Sequence, residues 1–142
     1  MTGAEAGLID SNILVYAFDE HDEEKHGKAM RFLSGKAADG NAVVSAQNLA
    51  EFHSIVTTKL RKPIKAEASR EIISGFSGTI GTIHYNAGTI LKAIELQAAY
   101  KAPFWDALIA ATMLENGVKT IFTENTADFR KIPFIKAVNP LK

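Results

Sequence analysis

Apolar residues fall along the chain in short blocks that alternate between two periods. "AGLID" (6–10), "AVVS" (42–45), "KTIFT" (119–123) and "IKAV" (135–138) are near-continuous apolar runs of strand length. That pattern suits parallel strands covered on both faces. "SGTIGTIHYN" (77–86) mixes glycine with β-branched residues and predicts a further short strand between loops. The intervening segments repeat their apolar positions at helical spacing. Ser11 to Phe18 carries Ile13, Leu14, Ala17 and Phe18. "EEKHGKAMRFL" (23–33) directs Met30, Phe32 and Leu33 inward. A helix opening at Ser45 or Ala46 has the stripe Leu49, Phe52, Val56 and Leu60. Helices are also predicted over Lys65 to Phe76, "AGTILKAIELQAAYK" (87–101) and Phe104 to Asn116, the last closed by Gly117. "ADGN" (38–41) is a turn, Pro63 and Pro103 reset the chain, and "ENTADF" (124–129) is a loop or helical turn. Strands alternating with helices predict an α/β fold with a mostly parallel sheet. Such sheets bind ligands beyond the carboxyl ends of their strands, at a topological switch point.

Acidic residues gather where that rule looks for a site. Asp10 ends the first strand, Glu51 lies in the helix after the second, and Asp128 follows "KTIF". Asp106 sits in the first turn of the helix from Phe104, beside the apolar Ile109 and Ala110. Each has an ordinary explanation: a helix cap for Asp10, a helix dipole for Asp106, a solvated helix position for Glu51, a turn for Asp128. Together they point to one sheet edge. Clustered carboxylates repel one another and lose hydration, so their pKa values rise unless a cation neutralises them. Oxygen-only ligands favour Mg²⁺ or Mn²⁺ over zinc. Such a site suits phosphodiester hydrolysis, because the cation binds phosphate oxygens and activates water.

Composition narrows the classes. At 142 residues, one domain over 1–142 is expected, with 46% apolar residues to fill its core. Without cysteine there is neither a disulfide framework nor a thiolate metal site. No run approaches about 18 apolar residues, so no membrane span is expected. The start, "MTGAEAG", lacks the basic and apolar regions of a signal peptide, and a cytoplasmic protein is expected. Sixteen basic residues balance sixteen acidic ones, so nucleic-acid binding would rest on local clusters or on metal.

The pieces "LIDSNILVYAF", "AQNLAEF", "PFWDALIAATMLENGVKTIFTEN" and "ADF" resemble the PIN-domain family, most closely the VapC ribonuclease toxins of prokaryotic toxin–antitoxin pairs. The resemblance spans essentially the whole chain. It implies a three-layer α/β/α fold and an endoribonuclease dependent on Mg²⁺ or Mn²⁺. It makes Asp10, Glu51, Asp106 and Asp128 the catalytic, metal-binding acids, with Asp10 and Asp106 as core ligands. Ser11, Asn12, Thr123 and Asn125 become supporting residues. Asn125 stands where the family carries Asn or Asp, so the site has one fewer possible charge; Glu124 is expected to point away. The partners implied are RNA, a small antitoxin that occludes the site with a basic side chain, and a second copy of the chain. Ile64 to Phe76 or Ala87 to Tyr100 would form that homodimer.

Other segments are read from their residues. "DEHDEEKH" (19–26) contains His21 and His26 and could be a second metal site, but a charge run usually faces water. His53 and His84 have no evident partner. Lys59, Arg61, Lys62 and Lys65 in "KLRKPIK" form a candidate RNA-backbone patch, against an ordinary solvated helix end. Trp105 could stack a base, or pack in the core or at an interface. Two alternatives stay open: a stand-alone RNA-processing nuclease of the same fold, and a PIN-like module that binds RNA or protein without cutting. A phosphatase on another α/β fold would want a second aspartate where Asn12 stands.

Overall fold

The computed structural model describes residues 6–142. Met1 to Glu5, most of the segment read as lacking a signal peptide, lie outside the described residues. The elements alternate as expected. β1 (Gly7–Ile9), α1 (Ser11–Tyr16), α2 (Glu23–Asp39), β2 (Ala42–Ser45), α3 (Ala46–Thr58) and α4 (Ala66–Thr79) form the first part. β3 (Gly81–Ile83), α5 (Ala87–Tyr100), α6 (Phe104–Glu115), β4 (Thr120–Phe122), α7 (Thr126–Phe129) and β5 (Lys136–Val138) complete it. The strands form one sheet in the order β3-β2-β1-β4-β5, with every pairing parallel.

Helices cover both faces, giving three layers, and strand alternation divides the core between them. Leu8, Val43 and Ile121 face α5, α6 and α7, in a cluster with Leu108, Met113, Phe129 and Ile132. Their neighbours Ile9, Val44 and Phe122 face the other way, with Ile13, Leu14, Phe52 and Val56. On that side Phe18, Phe52 and Phe76 pack edge to face, with ring centroids 5.7–6.0 Å apart. Gly7 is required by a close approach: a Cβ there would lie 2.2 Å from Cε2 of Phe122. α6 ends as its glycine predicted. Gly117 takes a left-handed φ of 69°, and the amide of Val118 returns to the carbonyl of Met113 at 2.9 Å.

One expectation is corrected in α2. Met30 does not pack inward; it is 45% exposed. The buried stripe is Ala29, Phe32 and Leu33, at spacings of three and four, and Met30 lies about 100° round the helix from Ala29. The charge run 19–26 leads into α2 at Glu23, where the helix was expected. Asp22 caps α2 by accepting from the amide of Lys25 at 3.1 Å, and Glu23 and Glu24 lie in the favourable first turn. Among the described residues no helix is long and apolar enough to cross a membrane.

Candidate active site

β1 lies between β2 and β4, so the chain leaves the sheet in opposite directions on either side of it. That is the switch point, and Asp10 occupies it at the carboxyl end of β1. Its amide continues the ladder by donating to the carbonyl of Phe122 at 3.0 Å. Asp10 is 6% exposed, and its carboxylate accepts four hydrogen bonds. The donors are the Ser11 amide at 2.8 Å, Asn48 Nδ2 at 3.1 Å, Thr123 Oγ1 at 2.7 Å and Asn12 Nδ2 at 3.4 Å. Burial pushes the Asp10 carboxyl above its ordinary range, while the bonds from Thr123, Ser11 and Asn48 oppose that rise. Asp10 does cap α1, as the simple reading held, but its other three donors come from side chains beyond that cap.

The supporting residues interlock. The buried Thr123 hydroxyl donates to Asp10 and accepts from the Asn125 amide at 2.9 Å and Asn12 Nδ2 at 3.2 Å. Asn12 Oδ1 receives the amide of Glu124 at 3.2 Å, tying α1 to the loop after β4. The Ser11 hydroxyl lowers the pKa values of both Asp10 and Glu51. Asn125 Nδ2 donates to Asp106 Oδ2 at 3.2 Å. Glu124 turns away, as expected: it accepts from the Tyr16 hydroxyl at 2.9 Å and pairs with Lys25.

The other acids answer to Asp10 and to one another. Glu51, half-buried, is raised by burial and then by the charge of Asp10. Asp106 is pushed up to about 6 by burial, then by the charges of Asp10 and Asp128 and more weakly by Glu51, against the bond from Asn125. Asp128 moves the other way, lowered by Lys131, whose Nζ lies 3.0 Å from its Oδ1. Among the described residues no group of three acidic or histidine side chains is drawn together tightly enough to hold an ion. The four acids are coupled by charge while each keeps its own hydrogen-bond donor. Mg²⁺ takes one or two carboxylates directly and keeps several waters, so it needs no tighter cage. The donor set is all oxygen, and among the described residues Asp10, Glu51 and Asp106 have no cation as a hydrogen-bond or ion-pair partner. A hard divalent cation fits these residues.

Two residues of the site were not singled out from the sequence. Asn48 is fully buried and bonds through both amide heavy atoms: Oδ1 accepts from the Ser45 amide at 3.2 Å and hydroxyl at 2.7 Å, while Nδ2 donates to Asp10. Gln47 Nε2 reaches Glu51 Oε2 at 3.5 Å and the Trp105 carbonyl at 3.0 Å. Both signals were present: Ser45 and Asn48 have capping-box spacing, and Gln47 and Glu51 are one helical turn apart.

The remaining candidates stand apart. Arg61 Nη1 is 3.2 Å from His21 Nδ1, and Arg61 and Lys62 line a cleft of about 670 Å³ shared with Asp19, Glu20 and His21. Lys59 and Lys65 are exposed nearby on the same turn. His26 Nδ1 meets the Tyr16 carbonyl at 2.9 Å, so the two histidines are not gathered as ligands. His53 has a partner after all, the buried Ser69 hydroxyl at 2.8 Å, and joins α3 to α4. Trp105, 60% exposed beside Asp106, is not a core residue.

The sheet order, the helical layers on both faces and the acids at the switch point define a PIN-domain fold. The PIN domain family model matches residues 7–135, and the chain belongs to that family. Among solved structures it is similar to VapC20 of Mycobacterium tuberculosis, a Sarcin-Ricin loop cleaving toxin. The identity is 20% and the TM-score 0.75, covering 94% of this chain and all of that one. It is also similar to VapBC2 of Rickettsia felis bound to a promoter DNA fragment, with 22% identity, TM-score 0.69, and 94% and 98% of the two chains covered. A toxin–antitoxin complex from Klebsiella pneumoniae matches at 24% identity and TM-score 0.69, over 95% and 98% of the chains. A search of curated proteins finds no match.

Proposed function

We propose that the protein is a Mg²⁺- or Mn²⁺-dependent endoribonuclease and the toxin of a VapBC-type pair. What supports this reading is Asp106, pushed up to about 6 by burial and by the charges of Asp10, Asp128 and, more weakly, Glu51, which lie on other elements. PIN membership supports it. So does the similarity to a toxin that cleaves the Sarcin-Ricin loop.

Asp10, Asp106 and Glu51 would hold the cation, with Asp128 at the margin because Lys131 claims one of its oxygens. The cation, when bound, neutralises the phosphate and supplies an activated water. Everything else falls to this chain. Thr123, Asn48, Asn12 and the Ser11 amide fix the Asp10 carboxylate, so it need not reorganise when substrate arrives. Asn125 orients Asp106, whose carboxyl releases its proton near pH 6 and is ionised at neutral pH. Trp105 offers an exposed ring face to a base of single-stranded RNA, one residue before Asp106. The Ser–His hydrogen bond found among the described residues, Ser69 with His53, has a fully buried hydroxyl and joins two helices.

An antitoxin and a homodimer belong to the same proposal. Complexes with antitoxins are among the similar structures. Of the two helices considered for self-association, α5 exposes Leu91 at 67% and Ile94 at 50% on one face. The test incubates wild type, D10N and D106N with tRNA and structured RNA, in Mg²⁺, Mn²⁺ or EDTA. Cleavage is expected only from wild type with metal. Full metal-dependent activity in either variant overturns the mechanism. Wild type that binds RNA but neither metal nor cuts would favour the non-catalytic module.

A further inference from the structure

Two lysines are held against the segment that runs from the end of β4 through α7, and that same segment sets two of the acids. Thr123 donates to Asp10 and Asn125 to Asp106. Glu124, between them, accepts from Lys25 Nζ. That ammonium also donates to the Tyr16 hydroxyl at 3.3 Å and lies 5.0 Å from the centroid of the Tyr16 ring. Asp128 pairs with Lys131 at 3.0 Å. Both ion pairs are open to water, with the Lys25 and Lys131 side chains 38% and 45% exposed. Exposed pairs of this kind are weak, so another anion can take the place of the carboxylate.

A phosphodiester backbone would need such cations. The carboxylates of Asp10, Glu51 and Asp106 around one divalent cation leave a net negative charge, and the chain as a whole has a net charge of zero to set against it. Phosphates on either side of the scissile one are then repelled unless basic side chains meet them. The basic turn after α3 is poorly placed to do so. Along the helix axis Lys59 stands about 12 Å from Glu51. Arg61 and Lys62 share their cleft with Asp19 and Glu20. Lys25 and Lys131 are instead tied to the segment that touches Asp10 and Asp106.

Resting on the ribonuclease reading above, we propose that Lys25 and Lys131 bind the RNA backbone, each exchanging its carboxylate partner for a phosphate that flanks the scissile one. Glu124 and Asp128 hold the two ammonium groups in place until RNA arrives. The segment that orients Asp10 and Asp106 therefore also sets the track of the substrate.

Fluorescence anisotropy of a short fluorescein-labelled oligouridylate tests this, in Ca²⁺ and over a series of salt concentrations, with the RNA checked on a gel for cleavage. Each lost phosphate contact on a single strand should reduce the slope of log affinity against log salt by about 0.7. K25Q and K131Q are each expected to bind more weakly with that shallower slope, K25R and K131R to keep the wild-type slope, and the double variant R61Q/K62Q to leave it unchanged. Glu124→Gln is expected to tighten binding, because it frees the Lys25 charge; a lysine that merely ties the segment to α2 predicts no gain. Unchanged slopes in K25Q and K131Q, or a loss confined to R61Q/K62Q, overturn the proposal. So does weaker binding by E124Q. Protein that cuts RNA but does not bind the oligouridylate overturns it too, since backbone contacts are independent of sequence, and leaves the nuclease standing. Wild type that neither binds nor cuts RNA overturns both.

Discussion

Asp106→Asn is expected to make the metal-free protein more stable at neutral pH while abolishing metal binding and cleavage. Asp106 is raised from 3.8 to about 6 by burial and by neighbouring carboxylates, so its ionised form is unfavourable in the folded chain. Two pKa units correspond to about 3 kcal/mol before screening. The carboxyl is half-buried, and solvent screening reduces the figure to roughly 1–1.5 kcal/mol. An amide removes the charge and keeps an oxygen to accept from Asn125 Nδ2. The sign follows from proton binding: between pH 3.8 and about 6 the folded chain holds a proton that the unfolded chain has released. Wild-type stability therefore falls as pH rises through that window and is flat above it. The advantage of D106N should be absent near pH 4, grow to pH 6 and stay constant to pH 8. At this chain length it amounts to about 4 °C in unfolding temperature. Thermal unfolding in EDTA across that pH range measures it. A variant no more stable than wild type at pH 7.5, or one with the same advantage at pH 4, would refute the argument that the acids strain the metal-free fold.

Protons compete with the cation for the same carboxylates, so Mn²⁺ affinity by calorimetry should rise with pH through about 6 and then level off. Thr123→Val should leave the Asn125 amide unpaired and cost about 1–3 kcal/mol in denaturant unfolding, with weaker Mn²⁺ binding; T123S should restore both, and a neutral T123V would remove Thr123 from the support network. Glu124→Gln should leave Mn²⁺ affinity within about twofold, because Glu124 is committed to Tyr16 and Lys25 and not to the acids; a tenfold loss would place it among the ligands. Gly7→Ala should destabilise by about 1–3 kcal/mol, measured by urea unfolding, since its methyl meets the Phe122 ring. In the double variant with Phe122→Leu that penalty should shrink, and an unchanged penalty would assign the cost to the backbone.

The order of strands and helices along the chain and the place of Asp10 at the end of the first strand were legible in the sequence, because both rest on local rules. A run such as Val43 and Val44 is buried on either face wherever its sheet lies, so its strand needs no tertiary information. An acid directly after such a run falls at the carboxyl edge, and Asp10 does so. Met30 was misjudged because it adjoins a buried stripe that only the docked helix defines. Gln47 and Asn48 were passed over because an amide side chain in the first turn of a helix has no chemistry of its own. Their roles arise from Asp10 and the Trp105 carbonyl, 37 residues before Gln47 and 58 after it. The pairing of Asp128 with Lys131, the turn of Glu124 towards Lys25 and the rise of Asp106 to about 6 likewise depend on distances between separate elements. Sequence determines which groups reach the sheet edge, since strand and helix periods are local. Tertiary structure decides which of them share burial, charge and a proton, since those energies depend on groups that meet only when the layers close.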